Sequence, residues 1–211
     1  AIKRSNTVIQ QTVHLFVFDT FSDWEPAFAI AGINNPAFQA QPGRYCVKTV
    51  GVNKEPVTSI GGMTILPAIT LAELESAQSA MLILPGGAGW DEREHPEAIE
   101  KTKQFLAAGV PIAAICGATA GLALAGILDD KQHTSNAREY LKATNYRGAA
   151  FYQDQPAITD ENVITASAMT ALEFAYQIFK RLDVYTPETL EAWYGLYKTS
   201  DPAYFFALQK A

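Results

Sequence analysis

The sequence is poor in the residues that hold metals and disulfides. It has two cysteines, Cys46 and Cys116, and three histidines, His14, His95 and His133, none in a CxxC or HxxxH spacing. That pattern argues against a structural zinc site, and no residue set suggests a cofactor. Two cysteines far apart, with no export signal, argue for a reducing cytoplasmic setting and against a structural disulfide. Long apolar runs are missing too. None approaches the roughly 20 residues that cross a bilayer, and no apolar h-region of a signal peptide follows the opening Ala1-Ile-Lys-Arg-Ser-Asn-Thr7. Positive charge is scarce: 16 Lys and Arg against 22 Asp and Glu leave a formal net charge of −6. Nucleic acid and membrane surfaces are therefore not expected partners. Linkers, low-complexity tracts and internal repeats are absent, so the 211 residues are read as one domain, 1–211.

What is present is a core. Hydrophobic residues make up 48% of the chain and charged residues 18%, the profile of a globular protein. Short apolar runs alternate with longer helical patterns. Thr12 to Phe18, Tyr45 to Val50, Ser79 to Leu84, Pro111 to Ile115 and Val163 to Ala166 read as strands. Ser22 to Ile33, Pro96 to Ala108, Ala118 to Ala125 and Ala171 to Leu182 read as helices, with Pro96 suited to a first turn and Gly109 to a stop. Buried strands separated by helices imply an α/β fold with a mostly parallel sheet and helices on both faces. Such folds bind ligands beyond the carboxyl ends of the strands. Ile60-Gly-Gly-Met63 suggests a small inserted hairpin between Val57 and Leu66. The aromatic-rich tail, Pro187 to Leu208, reads as a helical hairpin packed on the sheet.

The informative segment is Ala113-Ala-Ile-Cys116-Gly-Ala-Thr-Ala-Gly-Leu. An apolar strand runs straight into a helix with Cys116 at the joint and only small neighbours, as in the G-x-S-x-G elbow with cysteine for serine. An elbow strains the nucleophile's backbone and lifts its side chain above the sheet. It also sets the sulfur at a helix N-terminus, which favours thiolate, so Cys116 is expected to titrate below the roughly 8.5 of a free thiol. Cys46 reads as a strand residue. Leu84-Pro-Gly-Gly87 supplies backbone N–H groups that can approach a ligand closely. Those of Gly86 or Gly87, with that of Gly117, are candidate oxyanion donors. Glu25 follows the first strand, at the end of the sheet where sites form. From the residues alone it reads as an ordinary solvated helix glutamate; partnered with the thiolate it must share one proton, and is then expected to be protonated and to donate.

Trp24-Glu25, Ile83-Leu-Pro-Gly-Gly87 and Ala114-Ile-Cys-Gly-Ala118 together resemble the ThiJ/PfpI superfamily, related to class I glutamine amidotransferase domains. Gly61-Gly-Met63 and Leu71-Ala-Glu-Leu74 look like a bacterial branch labelled intracellular protease/amidase. The resemblance runs from about Val13 to Leu182. It implies a flavodoxin-like three-layer sandwich, usually a homodimer, with Cys116 as nucleophile or redox centre and Glu25 as its acidic partner. It also implies backbone donors at Gly86, Gly87 and Gly117. The departures bear on activity. Protease-like members carry histidine directly after the cysteine, where this chain has Gly117. Other members place one after the elbow helix, where Asn136 stands; His133, three residues earlier, is the remaining candidate base and otherwise reads as a surface or loop histidine. A Cys-His-Glu triad is not supported, which counts against glutamine hydrolysis and proteolysis. The expectation is a cysteine-dependent enzyme, glyoxalase/deglycase-like or amidase-like, acting on a small carbonyl or amide electrophile. The alternative is a non-enzymatic stress protein that senses oxidation at Cys116.

Overall fold

The computed structural model describes residues 9–211; the Ala1–Thr7 stretch read above for export signals lies outside them. The chain builds β1 (Gln11–Phe16), α1 (Trp24–Asn34), β2 (Tyr45–Gly51), β3 (Val57–Thr58), β4 (Thr64–Ile65), β5 (Ile69–Thr70) and β6 (Met81–Leu84). Next come α2 (Pro96–Ala107), β7 (Ile112–Ile115), α3 (Gly117–Leu124) and α4 (Arg138–Lys142). The carboxyl-terminal part is β8 (Ala157–Asp160), β9 (Val163–Ala166), α5 (Ala171–Leu182), α6 (Pro187–Thr199) and α7 (Pro202–Lys210).

Seven strands form one sheet in the order β5-β2-β1-β6-β7-β9-β8. Every pairing is parallel except β8 with β9. This is the α/β flavodoxin-like arrangement. The chain leaves β1 through α1 toward β2 on one side, and leaves β6 through α2 toward β7 on the other. Right-handed crossovers then put α1 and α2 on opposite faces. α5 returns to the α1 face, where the ring of Phe179 fills the space over Gly32. With both faces covered, β6 and β7 bury every residue, which is why they read as unbroken apolar runs.

The hairpin forms at the expected place, with Val57 opposite Ile65 and Thr58 opposite Thr64. The first helix starts at Trp24 rather than Ser22, because Asp23 is committed elsewhere: its Oδ2 accepts the Gly61 N–H at 2.6 Å. The helical tail packs on helices and not on the sheet. Trp193 of α6 stacks edge-on against Phe28 of α1 and Phe179 of α5. Among the described residues no helix is long and apolar enough to cross a membrane.

Candidate active site

Sequence order fixes the elements of the site. Cys116 follows β7 and caps α3, Gly86 and Gly87 follow β6, Glu25 lies in the first turn of the helix after β1, and Ala168 follows β9. These strands are neighbours in the sheet, so all four segments emerge together at its carboxyl edge, beside the point where the chain direction reverses between β1 and β6.

Cys116 adopts φ 59° and ψ −125°. A side chain held there costs about 1–3 kcal/mol, so the surroundings must impose it. Its N–H donates to the Ala166 carbonyl at 3.0 Å, and its own carbonyl accepts from the Thr119 N–H at 3.1 Å and the Thr119 hydroxyl at 2.6 Å. Thr119 is steadied in turn by the Ser135 hydroxyl, 2.6 Å away. Helix α3 is buried from Gly117 to Ala123, which accounts for its small residues. At Gly121 a Cβ would stand 2.6 Å from the Trp90 ring.

Glu25 is fully buried. Its Oε2 accepts the Gly86 N–H at 2.8 Å. The Ser22 hydroxyl and the Cys116 thiol face the carboxyl and pull its pKa down, but burial outweighs them and pushes it up. Neither completes a hydrogen bond to Oε1, which is buried and has no partner among the described residues. A carboxyl so placed favours its neutral form. Gly86 separates it from the thiol: a Cβ there would lie 2.7 Å from Glu25 Oε2, 2.7 Å from Cys116 Cβ and 3.0 Å from Sγ. No side chain fits, and the acid and the sulfur face each other across bare backbone.

The Gly86 N–H is therefore spent on Glu25 and is not an oxyanion donor. Gly87, at φ +150°, packs against the Phe18 ring and the Thr20 carbonyl. The Gly87 N–H takes no acceptor among the described residues, and it lies beside Gly117, whose own N–H leans on the thiol. These two remain as candidate donors.

Asn136, in the position where the resemblance places a histidine, reaches the sulfur. Its Nδ2 donates to Cys116 Sγ at 3.3 Å, and its Oδ1 accepts the Ala168 N–H at 2.9 Å, which fixes the orientation of the amide. His133 does not reach the sulfur. It is fully buried, with Nδ1 against the Lys131 carbonyl and Nε2 against the Tyr146 hydroxyl, both at 2.7 Å. Burial pushes its pKa down. It is a packed histidine with both nitrogens occupied, neither a surface histidine nor an available base.

The expected depression of the thiol pKa is not what the surroundings produce. Burial, the largest influence, pushes Cys116 up; Asn136 and the Gly117 N–H pull it down, and negative charge on Glu25 raises it further. The pair holds its shared proton tightly, and thiolate forms when Glu25 keeps it. One residue that sequence reasoning missed stands close by. Tyr140 of α4 is half-buried and feels Asp91, Cys116 and Glu25; burial chiefly, with these charges, pushes its hydroxyl up to about 12. Its position four residues past Asn136 carried no signal of this.

Comparison with known proteins identifies relatives of the whole chain. The DJ-1/PfpI family model matches residues 11–181. A Bacillus subtilis protein named uncharacterized protease YoaZ is 46% identical over 199 residues, covering 93% of this chain and 95% of its own. Another from the same bacterium, uncharacterized protease YdeA, is 29% identical over 88% of this chain and 92% of its own. Among solved structures, a ThiJ/PfpI family protein from Bacillus anthracis superposes with a TM-score of 0.89 at 44% identity, over 95% of this chain and 97% of that one. A DJ-1 superfamily protein from Agrobacterium tumefaciens gives 0.80 at 30% identity, over 90% and 99%.

Proposed function

The chain belongs to the DJ-1/PfpI family, and on that premise we propose that it is a cysteine-dependent enzyme acting on a small carbonyl electrophile. Cys116 is the nucleophile and Glu25 its proton partner. The observation that carries the reading is the buried Glu25 carboxyl beside the thiol, with Oε1 left unpartnered. A buried polar atom without a partner is costly, and a substrate oxygen or hydroxyl arriving over Cys116 would satisfy it.

The step is an addition. Thiolate Sγ attacks the carbonyl carbon, the S–C bond forms, and the π electrons move to oxygen. The Gly87 and Gly117 N–H groups meet the developing charge, and Glu25 gives its proton to that oxygen. Reversal returns the proton to Glu25, so the one acid serves both directions of the addition. Proteolysis, the activity in the names of the Bacillus subtilis relatives, asks more: an amine must be protonated as it leaves and a water activated. With His133 occupied, that chemistry lacks its base, and carbonyl addition fits the residues better.

A second reading has one observation in its favour. The Asn136 amide and the Gly117 N–H already lean on the sulfur, so they would also hold oxygens added to it by peroxide, as a redox sensor requires. The test is a panel of small aldehydes, amides and glutamine with wild-type protein, Cys116→Ser and Glu25→Gln. Aldehyde turnover abolished by both substitutions supports the enzyme. Peroxide oxidation of Cys116 with no turnover of any substrate supports the sensor.

A further inference from the structure

A cavity of 240 Å³ lies between α1, α6 and α7, and none of its lining belongs to the site at Cys116. Six rings wall it: Phe28, Phe38, Tyr185, Trp193, Tyr197 and Phe205. Phe28 meets Trp193 and Tyr197 edge-on, at centroid distances of 6.2 and 5.3 Å. Tyr185 and Trp193, each 7% exposed, form its buried end. Among the described residues no charged side chain lines it. Apolar and aromatic walls between helices, with few polar groups, are the build of small-molecule sites.

Tyr185 supplies the polar group. A Cβ on Gly32, which lines the cavity, would stand 3.0 Å from the Tyr185 hydroxyl, so that oxygen lies against the cavity wall. The hydroxyl has no hydrogen-bond partner among the described residues. The sealed polar atoms that lack one are Asp23 Oδ1 and Glu25 Oε1, so the Tyr185 hydroxyl opens onto accessible space. Burial pushes its pKa up to about 12, which keeps the proton available for donation. A donor so deeply placed and left unpaired is costly until an acceptor reaches it.

Phe38 is held in the wall under strain. Its φ is +65°, a region that a bulky residue seldom occupies. Its neighbours impose this. The Gln39 side-chain amide donates to the Gly32, Ile33 and Asn35 carbonyls at the end of α1, at 2.7, 3.0 and 2.8 Å, and the Ala40 N–H donates to the Val184 carbonyl at 2.9 Å. A residue serving this turn alone would be Gly or Asn. The aromatic ring is there for the cavity.

From the walls of rings, the unpaired hydroxyl and the strained Phe38, we infer that this cavity binds a neutral aromatic molecule of one or two rings, whose hydrogen-bond acceptor takes the Tyr185 proton. Rings favour a ring as guest, edge-on or offset, and a charged guest would find no countercharge. An apolar cavity of about 150 Å³ holds benzene, so the 240 Å³ here admits a fused pair. The inference is independent of Cys116 and of any turnover there.

The test is equilibrium dialysis of the full chain at neutral pH against quinoline and its isostere naphthalene, which lacks the ring nitrogen. Quinoline should bind saturably below about 1 mM, within reach of so small a ligand. Tyr185→Phe should weaken quinoline about fivefold, the worth of one hydrogen bond, and leave naphthalene unchanged. Phe38→Asn, which suits the same backbone, should weaken both about fivefold through the lost ring contact. N-methylquinolinium, permanently charged, should bind at least about tenfold more weakly than quinoline. Cys116→Ser should bind quinoline as wild type does. No saturable quinoline binding overturns the inference, as does quinoline binding that either Tyr185→Phe or Phe38→Asn leaves untouched. Equal affinity for the charged analogue would make the cavity a cation cage. Loss of binding in Cys116→Ser would move the ligand to the cysteine, and affinity that falls as protein concentration rises would put a second copy in the cavity. Each of these three results also overturns it.

Discussion

Asn136 donates to the sulfur of Cys116 across 3.3 Å while its carbonyl oxygen is pinned by Ala168. The amide cannot take a proton from the thiol, as a histidine there could. It can only stabilise the negative charge once the proton has gone. The work of moving that proton falls to Glu25.

Removing this donor should therefore slow the thiol without abolishing it. We predict that Asn136→Ala raises the apparent pKa of Cys116 alkylation by about one unit, the worth of one hydrogen bond to a charged group. The check is a pH series of alkylation rates, with Cys46 in the same molecule as the internal standard. An unchanged profile would mean that the contact does not act on the thiolate.

Glu25 offers two separable effects. Its pKa is pushed up by burial, so between the ordinary 4.5 and its folded value the folded state holds a proton that the unfolded state has released. Stability contributed by this group is present below about pH 4.5 and is lost as pH rises through that window. Glu25→Gln, neutral throughout, should melt higher than wild type at pH 7, with the gain disappearing near pH 4. Chemically, Gln still offers an N–H to the thiolate, whereas Glu25→Leu offers none. Alkylation at Cys116 should survive in the former and shift to higher pH in the latter.

His14 titrates in the opposite sense. It is buried in β1, and its Nδ1 lies 2.7 Å from a Ser79 hydroxyl that itself donates to the Met81 carbonyl at 3.0 Å. The ring nitrogen must then be the donor, and the imidazole is neutral. Burial, with the Lys48 charge, lowers its pKa from 6.5 to about 4. Protons bind the unfolded state first, so stability falls as pH drops from 6.5 to 4, by up to about 3 kcal/mol. Chemical denaturation of His14→Gln across that range should show a flatter acid limb than wild type. The Glu25 effect partly offsets this in wild type, so the informative quantity is the difference between the two proteins.

We also predict a homodimer. The carboxyl-terminal helices expose Tyr197, Phe205 and Phe206, an apolar surface larger than solitary side chains need. Sedimentation at micromolar concentration should show dimer, and Phe205→Ser with Phe206→Ser should shift it toward monomer. A wild-type chain that sediments only as monomer counts against this.

Much of the architecture was legible because the central strands bury both faces. Met81 to Leu84 and Ile112 to Ile115 have no polar residue to blur them. The edges were not legible: β5 has two residues and β8 is half exposed, so neither makes a run. At the site, Cys116 stood out through its small neighbours, whose sizes the elbow dictates. Which N–H groups remained free did not, because Gly86 is claimed by a carboxyl 61 residues away in sequence. Burial of His133 was hidden likewise, since its partner Tyr146 is brought to it across α4, a helix too short to show a periodicity. The thiol pKa was misjudged for a related reason: the helix terminus is visible in sequence, but the desolvation that opposes it is not.

Gly86 and Cys116 follow the adjacent strands β6 and β7, which stand about 4.8 Å apart wherever a sheet exists, and Glu25, in α1 beyond the loop that follows β1, is tied to the same edge by the Gly86 N–H. The spacing of Gly86 and Cys116 is thus a property of the lattice of backbone hydrogen bonds, and a single hydrogen bond holds the acid to it. A lattice of this kind gives way cooperatively or not at all. Breathing of the helices other than α1 should leave the pair in register, and loss of the sheet should dissolve it in one step. Cys116 is in this sense a gauge of the whole sheet: its distinctive chemistry should persist unchanged through partial denaturation and end at the global transition.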